Sequence, residues 1–270
     1  MKFAVCNEIY GNDWVKTCQL AKAAGFTGVE IAPHTFFKDS VLEVTAAQRV
    51  EIKKVAADQG LTICALHMCL FSPKGLHING PDAALRAKTV EYLGHITQFA
   101  IDLGCPLMIY GSPPTRVALP EVGYAQARAW FKEGIQTVLP KAKAGGVTIC
   151  IEPLTAECTN FCTTSEAAFG LVLDINHPNF GLMIDVKSCA TEKRNVEDSI
   201  ALFGPWLKHL HLNDAIGKAP GFGITDFAPI LKAVKASGFK GWLSCEPFQY
   251  QPDAATIMPV SLAYLKSLLP

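Results

Sequence analysis

At 270 residues, half of them hydrophobic and 18% charged, the chain is long enough for one α/β barrel or two smaller domains and too apolar to be disordered. Lys plus Arg equals Asp plus Glu at 24 each, with no basic stripe, which argues against a nucleic-acid partner. No apolar stretch approaches the roughly 18 residues of a membrane span, and the opening MKFAVCNEIY holds too short an apolar run for a signal peptide.

Strand and helix signals then alternate from end to end. The expected strands are 2–8 (KFAVCNE), 28–32 (GVEIA), 61–67 (LTICALH), 106–111 (PLMIYG), 147–152 (VTICIE), 180–185 (FGLMID), 207–212 (LKHLHL) and 241–246 (GWLSCE). They are rich in Val, Ile, Leu, Phe and Cys and show little polar alternation, as parallel strands covered on both faces do. Helices are expected at 13–24, from an Asp13 cap to Gly25, and at 45–59, stopping at Gly60. Others follow at 82–103, at 121–144 with Pro140 bending it, at 165–175, 196–203 and 226–236, and from about 253 to 268. Eight strands and eight helices in strict alternation predict a single-domain (β/α)8 TIM barrel over residues 1–270. No GxGxxG or Walker pattern follows any strand, which removes the main reason to prefer an open doubly wound sheet.

Ten cysteines show no C-x-x-C pair, and Cys64, Cys150 and Cys245 fall inside strands, where a thiol packs as a small hydrophobe. Reduced thiols fit a cytoplasmic protein.

Four polar residues stand alone at the ends of apolar strands: Glu152, Asp185, His211 and Glu246, spaced 33, 26 and 35 residues apart. One strand-helix unit of such a barrel takes about 30 residues, and all strands point the same way. Residues closing successive strands therefore gather at the C-terminal mouth. A lone strand-end carboxylate is commonly a cap or an ion-pair partner; two Glu, one Asp and one His at this spacing predict a divalent metal site. An oxygen-rich set of this kind suits Mn²⁺ or Mg²⁺ better than a structural zinc.

The segments IEPL (151–154), GLMID (181–185), HLHLND (209–214), PGFG (220–223) with TDF (225–227), GWLSCEPF (241–248) and EIAP (30–33) occur in the order of a known group. On them the chain resembles the xylose isomerase-like TIM barrels, the sugar phosphate isomerase/epimerase superfamily, and is nearest in motifs to the ketose 3-epimerases. The resemblance implies one divalent ion on Glu152, Asp185, His211 and Glu246, with Mn²⁺ first and Co²⁺, Mg²⁺ or Zn²⁺ as alternatives. It also implies a reaction: the ion stabilises the enediolate formed when a hydroxyketone loses the proton beside its carbonyl. In the resembling epimerases the two metal-bound glutamates move that proton, a role that maps to Glu152 and Glu246, leaving Asp185 and His211 as ligands.

The chain also departs from that pattern. The epimerases carry a His three residues after the ligand Asp and an Arg six after the ligand His; here these positions are Ser188 and Gly217. An acidic residue in the loop after IEPL is kept as Glu157. Lys187, two residues past Asp185, is expected by strand alternation to share its side and meet a substrate oxygen, or else to pair with Glu157 or Asp214. Lys218 is a candidate for a substrate phosphate or carboxylate, or a plain turn lysine. His67, Glu8 and Glu30 are expected to face the mouth, where they would contact substrate or support the ligands. His209 is expected one layer deeper, as a core histidine. Loop aromatics such as Phe71, Phe222 and Phe248 would wall off a sugar pocket or anchor their loops.

These departures leave a second activity open, a metal-dependent lyase or dehydratase on a keto-sugar or keto-polyol, and beyond it a binding protein without turnover. The three-zinc DNA-repair endonucleases of the superfamily need histidines that this chain lacks after Asp185, after the fourth strand and in ITDF. The expected partner is a small-molecule sugar, with homo-oligomerisation an expectation drawn from barrel exteriors in general.

Overall fold

The computed structural model describes residues 1–269. Eight parallel strands form a closed barrel in sequence order, β1 (Lys2–Cys6), β2 (Gly28–Ile31), β3 (Thr62–Leu66), β4 (Leu107–Tyr110), β5 (Thr148–Ile151), β6 (Phe180–Asp185), β7 (Leu207–Leu212) and β8 (Trp242–Cys245). Among the described residues nine α-helices follow the strands, two of them after β6: α1 (Trp14–Ala23), α2 (Ala46–Asp58), α3 (Ala83–Leu103), α4 (Tyr124–Ala144), α5 (Ser165–Ile175), the single turn α6 (Val186–Cys189), α7 (Val196–Phe203), α8 (Phe227–Ala236) and α9 (Ala254–Ser267). The expected (β/α)8 architecture is the one observed.

Most strands end a residue or two before their expected limits, so that Glu152 and Glu246 sit just past β5 and β8. The predicted 121–144 helix begins at Tyr124, because Gly123 adopts φ 74, a left-handed conformation that a helix cannot include. Pro140 lies inside α4 without ending it. The turn α6 was unexpected, and it changes where Lys187 points.

The helix starts follow from short polar side chains. Asp13, Asp82, Thr164, Asn195, Asp226 and Asp253 each accept a backbone N–H in the first turn of the helix they open. Gly104 at φ 68 closes α3 in the left-handed conformation.

Two compact units can be told apart in the chain. The first comprises Met1–Ile31, Glu51–Cys64 and the chain from Leu182 onward. Within it β1 pairs with β2 and β8, and β7 lies between β6 and β8. The registers set Cys6 beside Glu30, Asp185 beside His211, and His211 beside Ser244. The second comprises Ala32–Val50 and Ala65–Gly181. There β4 pairs with β5, and Tyr110, Phe131 and Phe161 pack their rings 5.2 to 5.3 Å apart. All ten cysteines are thiols, nine of them buried, in keeping with a structural use. No helix among the described residues is long and apolar enough to cross a membrane.

Candidate metal centre

The site is built by the chain's habit of ending apolar strands in one polar residue. Asp185 is the last residue of β6, His211 the fifth of β7's six, and Glu246 the first after β8. All three are buried. His211 turns Nδ1 toward Glu246, 2.9 Å from Oε2, with Asp185 Oδ2 at 4.0 Å. Glu152, also buried, follows β5 on the second unit. One ligand atom from each of Glu152, Asp185, His211 and Glu246 lies within 4.8 Å of the others. The four residues singled out from their spacing are therefore brought together.

The donor set fits a cation. The other ring nitrogen of His211, Nε2, lies 3.0 Å from Glu30 Oε1, where its N–H donates to the carboxylate. With that proton committed, Nδ1 presents a lone pair to two carboxylate groups that are themselves acceptors. Three acidic groups and one imidazole lone pair crowded in a dry space repel one another unless a positive charge lies among them.

Glu30 is the residue whose role the sequence left open. It is fully buried, and its other oxygen, Oε2, lies 2.8 Å from Nε2 of His209. Burial alone would raise its pKa, but the two imidazoles outweigh that and hold its carboxyl well below the usual carboxylate range. It is closed off from solvent and fixes the ring of His211, as carboxylates behind metal-binding histidines do. The signal was present as the lone charge within the otherwise apolar GVEI strand. His209 is the deeper core histidine that the alternation predicted.

Asn213 was missed. Its side-chain N–H₂ donates to Asp185 Oδ2 at 2.5 Å and reaches Glu246 Oε2 at 3.4 Å, while its Oδ1 accepts the backbone N–H of Lys187 at 2.9 Å. Asp185 Oδ1 in turn accepts the N–H of Ser188 at 2.6 Å. One amide thus orients two of the carboxylates.

Arg116 was missed as well. It is fully buried; Nη2 donates to the Glu152 carbonyl at 2.7 Å and Nη1 to the Phe161 carbonyl at 3.2 Å. The peptide that carries Glu152 is therefore anchored from the β4 loop. Close by, Gly111 has no room for a side chain, because a Cβ there would run into the Glu152 carboxylate. Replacing Arg116 by Met should lower unfolding free energy by roughly 2–3 kcal/mol, since two buried carbonyls lose their donor. Urea unfolding checks this, and a variant as stable as wild type would deny Arg116 that role.

The remaining candidates divide. His67 is buried just past β3 and Glu8 is half-buried after β1; two further groups, Cys6–Glu30–His67–His211 and Cys6–Glu8–His67–Glu246, meet the same 4.8 Å limit. The Cys6 thiol is pushed well above its usual pKa, first by burial and then by the charges of Glu30, Glu8 and Glu246, which favours a neutral thiol packed near Ser244 over a thiolate. Glu157 is exposed in the turn after β5. Lys187 lies in α6 and not on an extended strand, so the alternation argument does not apply; its ammonium sits 5.7 Å from the Phe248 ring centroid. Asp214 is occupied with its own loop, accepting the N–H groups of Ile216 and Thr225. Lys218 is exposed, and its strand-like bridge to Gln249 ties the loop after β7 to the one after β8.

The profile of the xylose isomerase-like TIM barrels matches residues 18–268. The chain belongs to that family. It is similar to the L-ribulose-5-phosphate 3-epimerases of Salmonella paratyphi A and Salmonella typhi, each 25% identical over 241 residues, 86% of this chain and 81% of theirs. Among solved structures, the 3-keto-D-glucoside 4-epimerase of E. coli superimposes with a TM-score of 0.85 at 18% identity, over 99% of both chains. The D-psicose 3-epimerase of Clostridium cellulolyticum H10, solved with D-tagatose, gives 0.85 at 19% identity, over 100% of this family member and 99% of that chain. At these identities the structural likeness speaks for the fold alone.

Proposed function

We propose that this family member is a divalent-metal sugar epimerase or isomerase that moves a proton at the carbon beside a ketone. The carrying observation is the convergence of Glu152, Asp185, His211 and Glu246 at the ends of four successive strands. When bound there, the cation supplies Lewis-acid stabilisation of the charge that develops on the substrate oxygens. The acceptor-only, oxygen-rich donor set favours Mn²⁺, then Co²⁺, Mg²⁺ or Zn²⁺.

The chain's own groups do the rest. Glu152 and Glu246 follow β5 and β8, and these two carboxylates are assigned to opposite faces of the planar intermediate. One removes the proton and the other returns it, which inverts the centre. Asp185 and His211 hold position, oriented by Asn213 and Glu30. His67 and Glu8 are assigned to substrate hydroxyls, and Glu157, Lys187 and Lys218 to more distant substituents at the rim. The named relatives above are epimerases, so the lyase alternative gains nothing from them. The reading places a small-molecule sugar in the site of a cytoplasmic enzyme, with homo-oligomerisation an independent expectation.

Protein purified without added metal should carry about one Mn, Co or Mg per chain, and should exchange deuterium from D₂O into ketoses or ketose phosphates beside the carbonyl. No exchange across such a panel by metal-loaded protein would sink the proposal. Release of an enone or an alcohol would replace it with the lyase.

A further inference from the structure

We propose that the substrate carries an apolar substituent of about phenyl size, and that this group lodges in a cleft formed by the loops after β3 and β4. The inference rests on the sugar-epimerase reading and deepens it to a substrate class. The cleft holds about 680 Å³, with Leu70, Phe71, Leu76, Leu85, Pro113 and Leu119 in its walls. Ligand pockets of roughly 300–1,000 Å³ accommodate drug-sized molecules, and a bare five- or six-carbon sugar does not fill this one.

Two of the cleft's wall residues are next in sequence to residues of the site. Met68 follows His67, and Ser112 follows Gly111, the glycine against which the Glu152 carboxylate packs. Both wall residues are held at positive φ, 49° for Met68 and 35° for Ser112, a region that non-glycine residues enter at a cost and that recurs at ligand sites.

Polar groups in the walls are already engaged within the protein. Ser112 Oγ accepts the Leu70 N–H at 3.0 Å; the Thr115 hydroxyl donates to the Ser112 carbonyl at 2.9 Å. Asp82 caps α3 through Ala84 and Leu85, and the Lys74 ammonium sits 3.6 Å over the Phe71 ring. Sugar hydroxyls placed here would leave water without gaining partners, which is unfavourable. One lysine set against one aspartate is no anion site either, so a phosphate is not the occupant. His77 is the exception: neither ring nitrogen has a partner, and burial lowers its pKa, so a neutral imidazole offers one donor and one acceptor. That suits a single linking oxygen between the sugar and its apolar group.

The test uses matched compounds: ketohexoses with and without a 6-O-benzyl group, and 3-keto-glucosides with phenyl or methyl aglycones. Binding to the metal-loaded protein is measured by calorimetry, and exchange in D₂O is followed alongside. In at least one pair the aryl member should bind at least about tenfold tighter and show a correspondingly higher kcat/KM. Leu119→Trp, which narrows the cleft, should reduce that preference to about threefold or less, with Leu85→Trp as a second, independent narrowing. No aryl preference in any pair, or a preference that survives both substitutions, overturns the assignment. Aryl-selective binding without exchange would keep the cleft and remove the epimerase reading instead.

Discussion

Glu246→Gln should slow deuterium exchange beside the substrate carbonyl by about 10²- to 10⁴-fold, the range a positioned acid or base contributes. The amide matches the carboxylate in shape but cannot take up a proton. Glu246 Oε2 also faces His211 Nδ1 at 2.9 Å, so the substitution removes a negative charge from a crowded buried set. Folding stability should therefore change little, by about 1 kcal/mol or less, because relief of like-charge repulsion offsets the lost ligand. Metal content measured on the same preparation separates the two ways in which exchange can fall. A variant that keeps the metal and loses exchange identifies Glu246 with proton transfer. Wild-type exchange by metal-loaded Glu246→Gln would remove it from that role, and Glu152 would then have to act alone, with retention at the reacting carbon in place of inversion.

The barrel was legible because its evidence is one-dimensional. Apolar runs such as FGLMID and TICIE announce buried parallel strands, and Gly25, Gly60 and Gly104 mark where helices stop. Parallel strands in a closed order then make the last polar residue of each run converge, which is why Asp185 and His211 were expected at the same end of the barrel. Other parts of the site depend on what lies across the barrel. Nothing in the local sequence of Glu30 says that it will meet two imidazoles carried by a strand nearly 180 residues later. Asn213 and Arg116 act through hydrogen bonds to distant segments, and spacing does not encode these. Lys187 was misdirected for a local reason: β6 ends at Asp185 as expected, but Asp185 then caps a helical turn through the Ser188 N–H, so the alternation does not continue to residue 187. Of the cleft after β3 and β4 only Phe71 was signalled, as a loop aromatic, since wall shape is a property of packing and not of composition.

Glu30→Gln tests the support behind the ligands and should produce the largest stability loss of any conservative change in the barrel. Each carboxylate oxygen now receives one imidazole N–H, from His209 at 2.8 Å and His211 at 3.0 Å. An amide keeps one acceptor and turns a donor toward the other ring. One buried imidazole N–H then faces an N–H₂, and the charge that both rings see is gone. Breaking a buried pair in this way costs about 3–5 kcal/mol, and loss of the carboxylate behind a ligand histidine weakens metal binding by about 10- to 100-fold. Urea unfolding and metal titration should show both effects, and saturating metal should restore much of the exchange. That restoration distinguishes Glu30 from Glu246: a group that orients a ligand is compensated by more metal, whereas a group that carries the proton is not. Metal affinity equal to wild type in Glu30→Gln would mean that His211 is held by its strand alone, and the Glu30 carboxylate would then serve only to satisfy two buried rings.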